Sequence, residues 1–193
     1  MRKREKMNYI DRLGQTIQET QFSSIGKRDM VWEEKIAIIK NLILDTRKEK
    51  KIVFFIGNGG SAGIALHMAA DFLKNGRMKT QTFFDPSLLT CMANDYGYEY
   101  VFSKPLEMHA EAGDVLVAIS SSGRSPNILN AVKVAKEKGC SVITFSGFDE
   151  DNPLRQSGDL NVYVPSHEYG IVESIHNLIL QQVVDEIKAE DEG

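Results

Sequence analysis

Five short strand-like runs constrain this chain more than any other feature: Ile52–Ile56, Thr80–Phe84, Val115–Ile119, Val142–Phe145 and Leu160–Val164. Stretches with helical spacing separate them, among them Ser61–Asn75 and Pro126–Lys138. A strand with one wet face alternates apolar and polar residues. Most of these runs are apolar throughout, so both of their faces need cover. Helices between successive strands supply that cover, and helical crossovers make the strands parallel. The pattern predicts an α/β fold: a doubly wound parallel sheet of five strands, flanked by helices. Ligands of such sheets bind beyond the carboxyl ends of the strands.

The first 50 residues read differently, as two helices. Residues 8–22 place Ile10, Leu13, Ile17 and Thr20 near one face, and a polar break (Ser23, Ser24, Gly26, Lys27) follows. Asp29 is positioned to cap a second helix, with Glu33 and Glu34 near its positive end. Ile36, Ile38, Ile39, Leu42, Ile43 and Leu44 give that helix a stripe wide enough to meet a partner subunit as well as its own chain. Residues 1–50 are therefore expected to form an N-terminal helical extension serving oligomerisation, and residues 51–193 the main domain. A long helix from about Ile171 to Ala189 closes the chain.

Composition removes several classes of function. The 193 residues carry a net charge of −4 and no long basic tract, which argues against nucleic acid and anionic membranes as partners. The basic start, Met1 to Lys6, is short, interrupted by Glu5 and followed by no apolar segment, so it does not read as a secretory signal. No apolar run is long enough to span a bilayer. Cys91 and Cys140 are too few for a disulfide framework or a cysteine zinc site. A cytoplasmic protein with reduced thiols is the expectation.

Two strand ends share one chemistry. The first reads Gly57-Asn58-Gly59-Gly60-Ser61, the second Ser120-Ser121-Ser122-Gly123-Arg124-Ser125-Pro126-Asn127. Each follows a strand and precedes a helix. Glycine lets backbone approach a ligand closely. A helix N-terminus offers unpaired N–H groups and the positive end of its dipole, and serine hydroxyls add neutral hydrogen bonds. Neither loop continues into Gly-Lys-Ser/Thr, and neither fits G-x-G-x-x-G, so no nucleotide cofactor is expected. Either loop alone would pass for an ordinary serine-capped turn. Two in one sheet point to an anion site, most simply for a phosphate monoester. His67 and Asp71, four apart, share a helix face just beyond the first loop.

GNGGSA, AISSSGRSPNIL and the stretch LTCMANDYGYEYVFSKPLEMHAEAGDVLVAIS over residues 89–120 resemble the sugar isomerase (SIS) domain family, and the last resembles its phosphoheptose isomerase branch. The resemblance covers most of the chain. It implies an SIS-type sheet and an aldose–ketose isomerase that converts sedoheptulose 7-phosphate to D-glycero-D-manno-heptose 7-phosphate through an enediol, feeding heptose-containing surface sugars. It implies that Ser61, Ser120, Ser122 and Ser125 bind the phosphate, that Asn58 and Gly59 line the sugar end of the loop, and that Asn94 and Asp95 contact sugar hydroxyls. It also implies a homotetramer with sites at subunit interfaces.

The resemblance departs from the family where the chemistry would occur. The family carries histidine and glutamate at the positions of His67 and Asp71, and both approach a zinc ion in some members. Its C-terminal helix carries roughly Gln-Glu-x-His and then a second histidine five residues on. Here Glu173 stands where glutamine is usual, Gln181 where the second histidine is usual, and Asp71 is one methylene short. Glutamine is no general base near neutral pH, whereas Glu173 is, so Asp71 and Glu173 become the acid–base candidates. His67, Asp71, Glu173 and Gln181 are the candidate ligands for zinc or another divalent metal. The bland alternatives are a hydrogen-bonded His67–Asp71 helix pair and a solvated Glu173–His176 pair. His109 and His167 read as surface residues, and Lys104, Arg77 and Arg124 as solvated cations, with assistance to phosphate binding as the alternative. Two other functions stay open: a non-catalytic SIS protein that binds a sugar phosphate or a protein partner, and an isomerase for a different sugar phosphate.

Overall fold

The computed structural model describes residues 7–24 and 31–193. In chain order they form α1 (Tyr9–Glu19), β1 (Gln21–Ser24), α2 (Trp32–Lys48), β2 (Ile52–Gly57), α3 (Gly60–Lys74), β3 (Lys79–Gln81) and α4 (Pro86–Tyr96). A 3-10 turn (Tyr98–Tyr100), α5 (Ser103–His109), β4 (Val115–Ser120), α6 (Pro126–Glu137) and β5 (Ser141–Gly147) follow. A second 3-10 turn (Pro153–Gln156), β6 (Leu160–Val164) and α7 (Tyr169–Glu192) complete the chain.

All five expected strands are present and pair in parallel, in the order β6-β5-β4-β2-β3. Alternation along them builds two cores. Val53, Phe55, Val117, Ile119, Ile143 and Phe145 face α2, α3 and α7. Phe54, Ile56, Leu116, Ala118 and Val142 face α5 and α6. Each fully buried Val, Leu, Ile or Phe side chain among them stabilises the fold by about 1.5–3 kcal/mol.

A sixth strand was not legible in the sequence. β1 pairs antiparallel with β6, Phe22 opposite Val162, so Ser23 and Ser24 continue a strand rather than a polar break. Phe22 enters the first core and meets Trp32 edge-on at 5.9 Å. A four-residue strand with one apolar side chain carries no readable period; it forms because it covers the open edge of β6. β3 is shorter than its run, because Phe83 and Phe84 leave the sheet to pack in the second core. The expected Asp29 cap, with Gly26 and Lys27, lies outside the described residues.

The stripe on α2 is used largely within the chain. Ile36, Ile39 and Ile43 are buried, while Ile38, Leu42 and Leu44 stay partly accessible. Polar contacts fasten α2 to α7. Trp32 Nε1 donates to Gln182 Oε1 at 2.9 Å, Lys40 pairs with Glu190 and Glu186, and Arg47 holds Asp191 bidentately at 2.7 and 3.0 Å. Among the described residues no helix is long and apolar enough to cross a membrane.

Candidate active site

β2 and β4 are neighbours, with Gly57 opposite Ile119, and their crossovers leave in opposite directions, β2 to β3 and β4 to β5. This is the switch point of the sheet, where strand ends part and leave a crevice. Both serine-rich loops lie at this point. Gly59 adopts φ +54 at the start of α3, and a Cβ on Gly57 would lie 2.5 Å from the carbonyl oxygen of Ser61. Only glycine permits so tight a turn.

The loops enclose an open cavity of about 240 Å³. Of the expected ligand residues, Asn58, Gly59, Ser61, Ser120, Ser122 and Ser125 all line it. Neither α3 nor α6 has a side-chain cap at its N-terminus, so their first N–H groups remain for a ligand. Ser120 Oγ and Ser125 Oγ lie 3.3 Å apart, and Ser122 Oγ accepts from the backbone N–H of Arg124 at 3.3 Å. Arg124 turns away: its Nη2 is 2.7 Å from Asp151 Oδ1 and its Nε 3.6 Å from Asp149 Oδ2. Lys104 is paired with Glu107. Among the described residues no lysine or arginine lines the cavity, so an anion there would rest on helix dipoles and hydroxyls.

Three lining residues carry no individual role in the sequence reading: Gly60 and Ser121, which stand within the two loops, and Tyr169, which lies outside them. Ser121 is buried, and its Oγ has no hydrogen-bond partner. An unpaired buried hydroxyl at a cavity wall is itself a sign of a missing acceptor or donor. Its place within an unbroken Ser-Ser-Ser run was the available signal. Tyr169 packs edge-on against Phe148 at 4.8 Å, where α7 begins.

Glu173, on the first turns of α7, also lines the cavity. Its carboxylate stands over Gly60, where an added Cβ would come within 2.3 to 2.5 Å of the two oxygens. Burial pushes its carboxyl group above the usual range, toward the values a general base needs near neutrality.

The remaining candidates lie apart from the cavity. His67 Nε2 stands 3.8 Å from Asp71 Oδ2, with the imidazole well exposed on α3. Asn94 and Asp95 are exposed on α4, where Asn94 Nδ2 donates to Asp95 Oδ1 at 2.8 Å. Gln181 donates to Asp185 Oδ1 at 3.1 Å, further along α7. The four candidate metal ligands thus fall in three places: His67–Asp71, Glu173 and Gln181. Among the described residues no three His, Cys, Asp or Glu side chains form a metal-binding group, so this set does not fit a single metal within one chain.

The Glu173–His176 surface pair is corrected. His176 is fully buried, with Nε2 3.1 Å from the Ser146 carbonyl oxygen and the ring edge-on to Phe145 at 5.5 Å. Burial pulls its pKa from 6.5 to about 4. It is a neutral core histidine whose Nε2–H donates to Ser146. His109 and His167 are exposed, as expected, and His167 stacks on Phe148 at 5.7 Å.

A family model described as SIS domain matches residues 9–147. The chain is 40% identical over 156 residues to a phosphoheptose isomerase of Campylobacter concisus, covering 75% of this chain and 81% of that one. It is 34% identical over 187 residues to a phosphoheptose isomerase of Helicobacter hepaticus, with coverages of 91% and 94%. Among solved structures, the phosphoheptose isomerase of Neisseria gonorrhoeae superposes with a TM-score of 0.78 at 31% identity, over 93% of this chain and 92% of that one.

Proposed function

This chain belongs to the SIS domain family, in its phosphoheptose isomerase branch, and from that premise we propose that it interconverts sedoheptulose 7-phosphate and D-glycero-D-manno-heptose 7-phosphate. One observation carries the reading: two uncapped helix N-termini and their serines converge at the switch point in a cavity that also holds Glu173. Ser61, Ser120, Ser122 and Ser125 take the phosphate, joined by Ser121, and Asn58 and Gly59 meet the sugar. Glu173 removes a proton from C1 of the open-chain ketose while the C2 oxygen is protonated, giving the enediol. Loss of the O1 proton and return of a proton to C2 give the aldose. Burial raises the pKa of Glu173, which makes its carboxylate a stronger base.

Asp71 is the second acid–base group, and Asn94 and Asp95 contact sugar hydroxyls. These residues, with His67, lie outside one chain's cavity, so their roles require assembly. The protein is a homotetramer in which residues 1–50 and α7 contribute to contacts, residues 51–193 carry the site, and His67 and Asp71 meet a neighbouring copy. Exposed Leu66 and Leu73 beside them, and Leu178 on α7, support an interface there. No step is assigned to a divalent metal, because the four candidate ligands of one chain stand apart. The reaction belongs to the cytoplasm, upstream of heptose-containing surface sugars.

A second reading has one observation in its favour. Gln181 cannot act as a base and is bound to Asp185, which suits a chain that binds a sugar phosphate without turning it over. Incubation with sedoheptulose 7-phosphate in deuterium oxide separates the two. Deuterium appearing at C2 by NMR supports the isomerase. Stabilisation by the ligand with no exchange supports binding alone.

A further inference from the structure

Asn58 carries more hydrogen bonds than its place at a strand end requires. Its Oδ1 accepts from Asn127 Nδ2 at 2.9 Å and from the Tyr98 hydroxyl at 3.2 Å, while its Nδ2 donates to Asn127 Oδ1 at 2.9 Å. Asn127 is buried in the first turn of α6, so the reciprocal amide pair ties the first loop to the helix that follows the second. The pair alone leaves one lone pair of Oδ1 and one N–H of Nδ2 unused. Tyr98 fills the lone pair. What remains for a ligand is a single donor.

Tyr98 is otherwise poorly explained. It is 60% exposed, on the 3-10 turn after α4. The turn itself is anchored, because Asn130 Nδ2 donates to the carbonyl oxygen of Glu99 at 2.9 Å. Asn58 and Ser125 stand between the phosphate cavity and a second one of about 250 Å³ that Tyr98 and Glu99 also line. A hydroxyl delivered there from an anchored turn sets the orientation of the Asn58 amide, and among the described residues its hydrogen bond goes to that amide and not to a serine of either loop.

Resting on the isomerase reading, we propose that Tyr98 is a positioning residue: through Asn58 it presents one N–H to a hydroxyl of the carbohydrate, and so reads the sugar rather than the phosphate. Removing a neutral hydrogen bond of this kind weakens binding about three- to ten-fold. The test is Tyr98→Phe, which keeps the ring. Affinities for inorganic phosphate and for sedoheptulose 7-phosphate are measured by calorimetry on both proteins, with thermal unfolding of the ligand-free proteins alongside. The expected result is a three- to ten-fold loss for the sugar phosphate, a change under about two-fold for inorganic phosphate, and an unchanged unfolding temperature. Equal affinities in both proteins would overturn the assignment. A parallel loss for both ligands would also overturn it, since it would mean the loops themselves had moved. Wild-type protein that prefers sedoheptulose 7-phosphate no more than inorganic phosphate would sink it too. Wild-type protein that binds the sugar phosphate selectively but shows no deuterium exchange would reject the isomerase reading and leave Tyr98 in place.

Discussion

Glu173 puts a negative charge into a cavity built for an anion. Its carboxyl group is raised by burial, so ionising it costs the folded protein free energy. That penalty is absent below the unfolded carboxyl value and grows as pH rises through the folded one. Glu173→Gln should therefore raise the unfolding temperature of the ligand-free protein at pH 7 to 8. The gap should close on acidification toward pH 4, as scanning calorimetry across pH would record. The same variant should lose at least about 100-fold in deuterium exchange, the usual worth of a general base. Full exchange in Glu173→Gln would remove the residue from the mechanism. Glu173 was legible because an amide-to-carboxylate change at a family position is visible in one sequence. The burial of His176 was legible too: it lies four residues from both Val172 and Leu180, in phase with the buried face of α7. Ser121 was hidden, since strand alternation turns every second residue from the site and a three-serine run does not announce where alternation stops.

At the scale of elements, the five parallel strands were readable because burial on both faces leaves continuous apolar runs. β1 was not, because edge pairing is a backbone event that one phenylalanine and three polar residues do not encode. The loop after β4 shows how a strand end becomes rigid. Gly123 sits at φ +61, and a Cβ there would fall 1.9 Å from Asn152 Oδ1. Asn152 cannot give way cheaply: it is fully buried, its Nδ2 donates to the carbonyl oxygens of Gly147 and Asp149 at 3.2 and 2.8 Å, and its Oδ1 accepts from the Arg155 N–H at 2.9 Å. Gly123→Ala combines left-handed strain with broken buried hydrogen bonds and should cost about 2–4 kcal/mol in urea unfolding. It should also weaken inorganic phosphate binding more than about ten-fold. Gly63→Ala is the matched control. Nothing lies within 4 Å of its added Cβ, and in a helix interior the change should be neutral or stabilising by up to about 1 kcal/mol. Equal effects of the two substitutions would refute the claim that the loop frame, rather than glycine content, holds the site.

The whole molecule divides its site unequally. One chain by itself brings both serine loops and Glu173 to the anion cavity, whereas His67 and Asp71 stand outside that lining on α3, beside exposed Leu66 and Leu73. Anion binding and turnover should therefore separate when the assembly is broken. Leu73→Glu places a charge in the surface assigned to a neighbouring copy, where an unpaired carboxylate costs several kcal/mol on burial. Light scattering should give four chains for the wild-type protein and fewer for the variant. Deuterium exchange should fall at least about ten-fold in the dissociated protein, while stabilisation by inorganic phosphate persists, because the serine loops and both helix N-termini travel with each chain. A wild-type monomer would remove the interface, and a dissociated variant with full exchange would show that one chain suffices. Loss of phosphate stabilisation together with dissociation would mean that the cavity itself is shaped by assembly, and that the two loops do not hold their geometry alone.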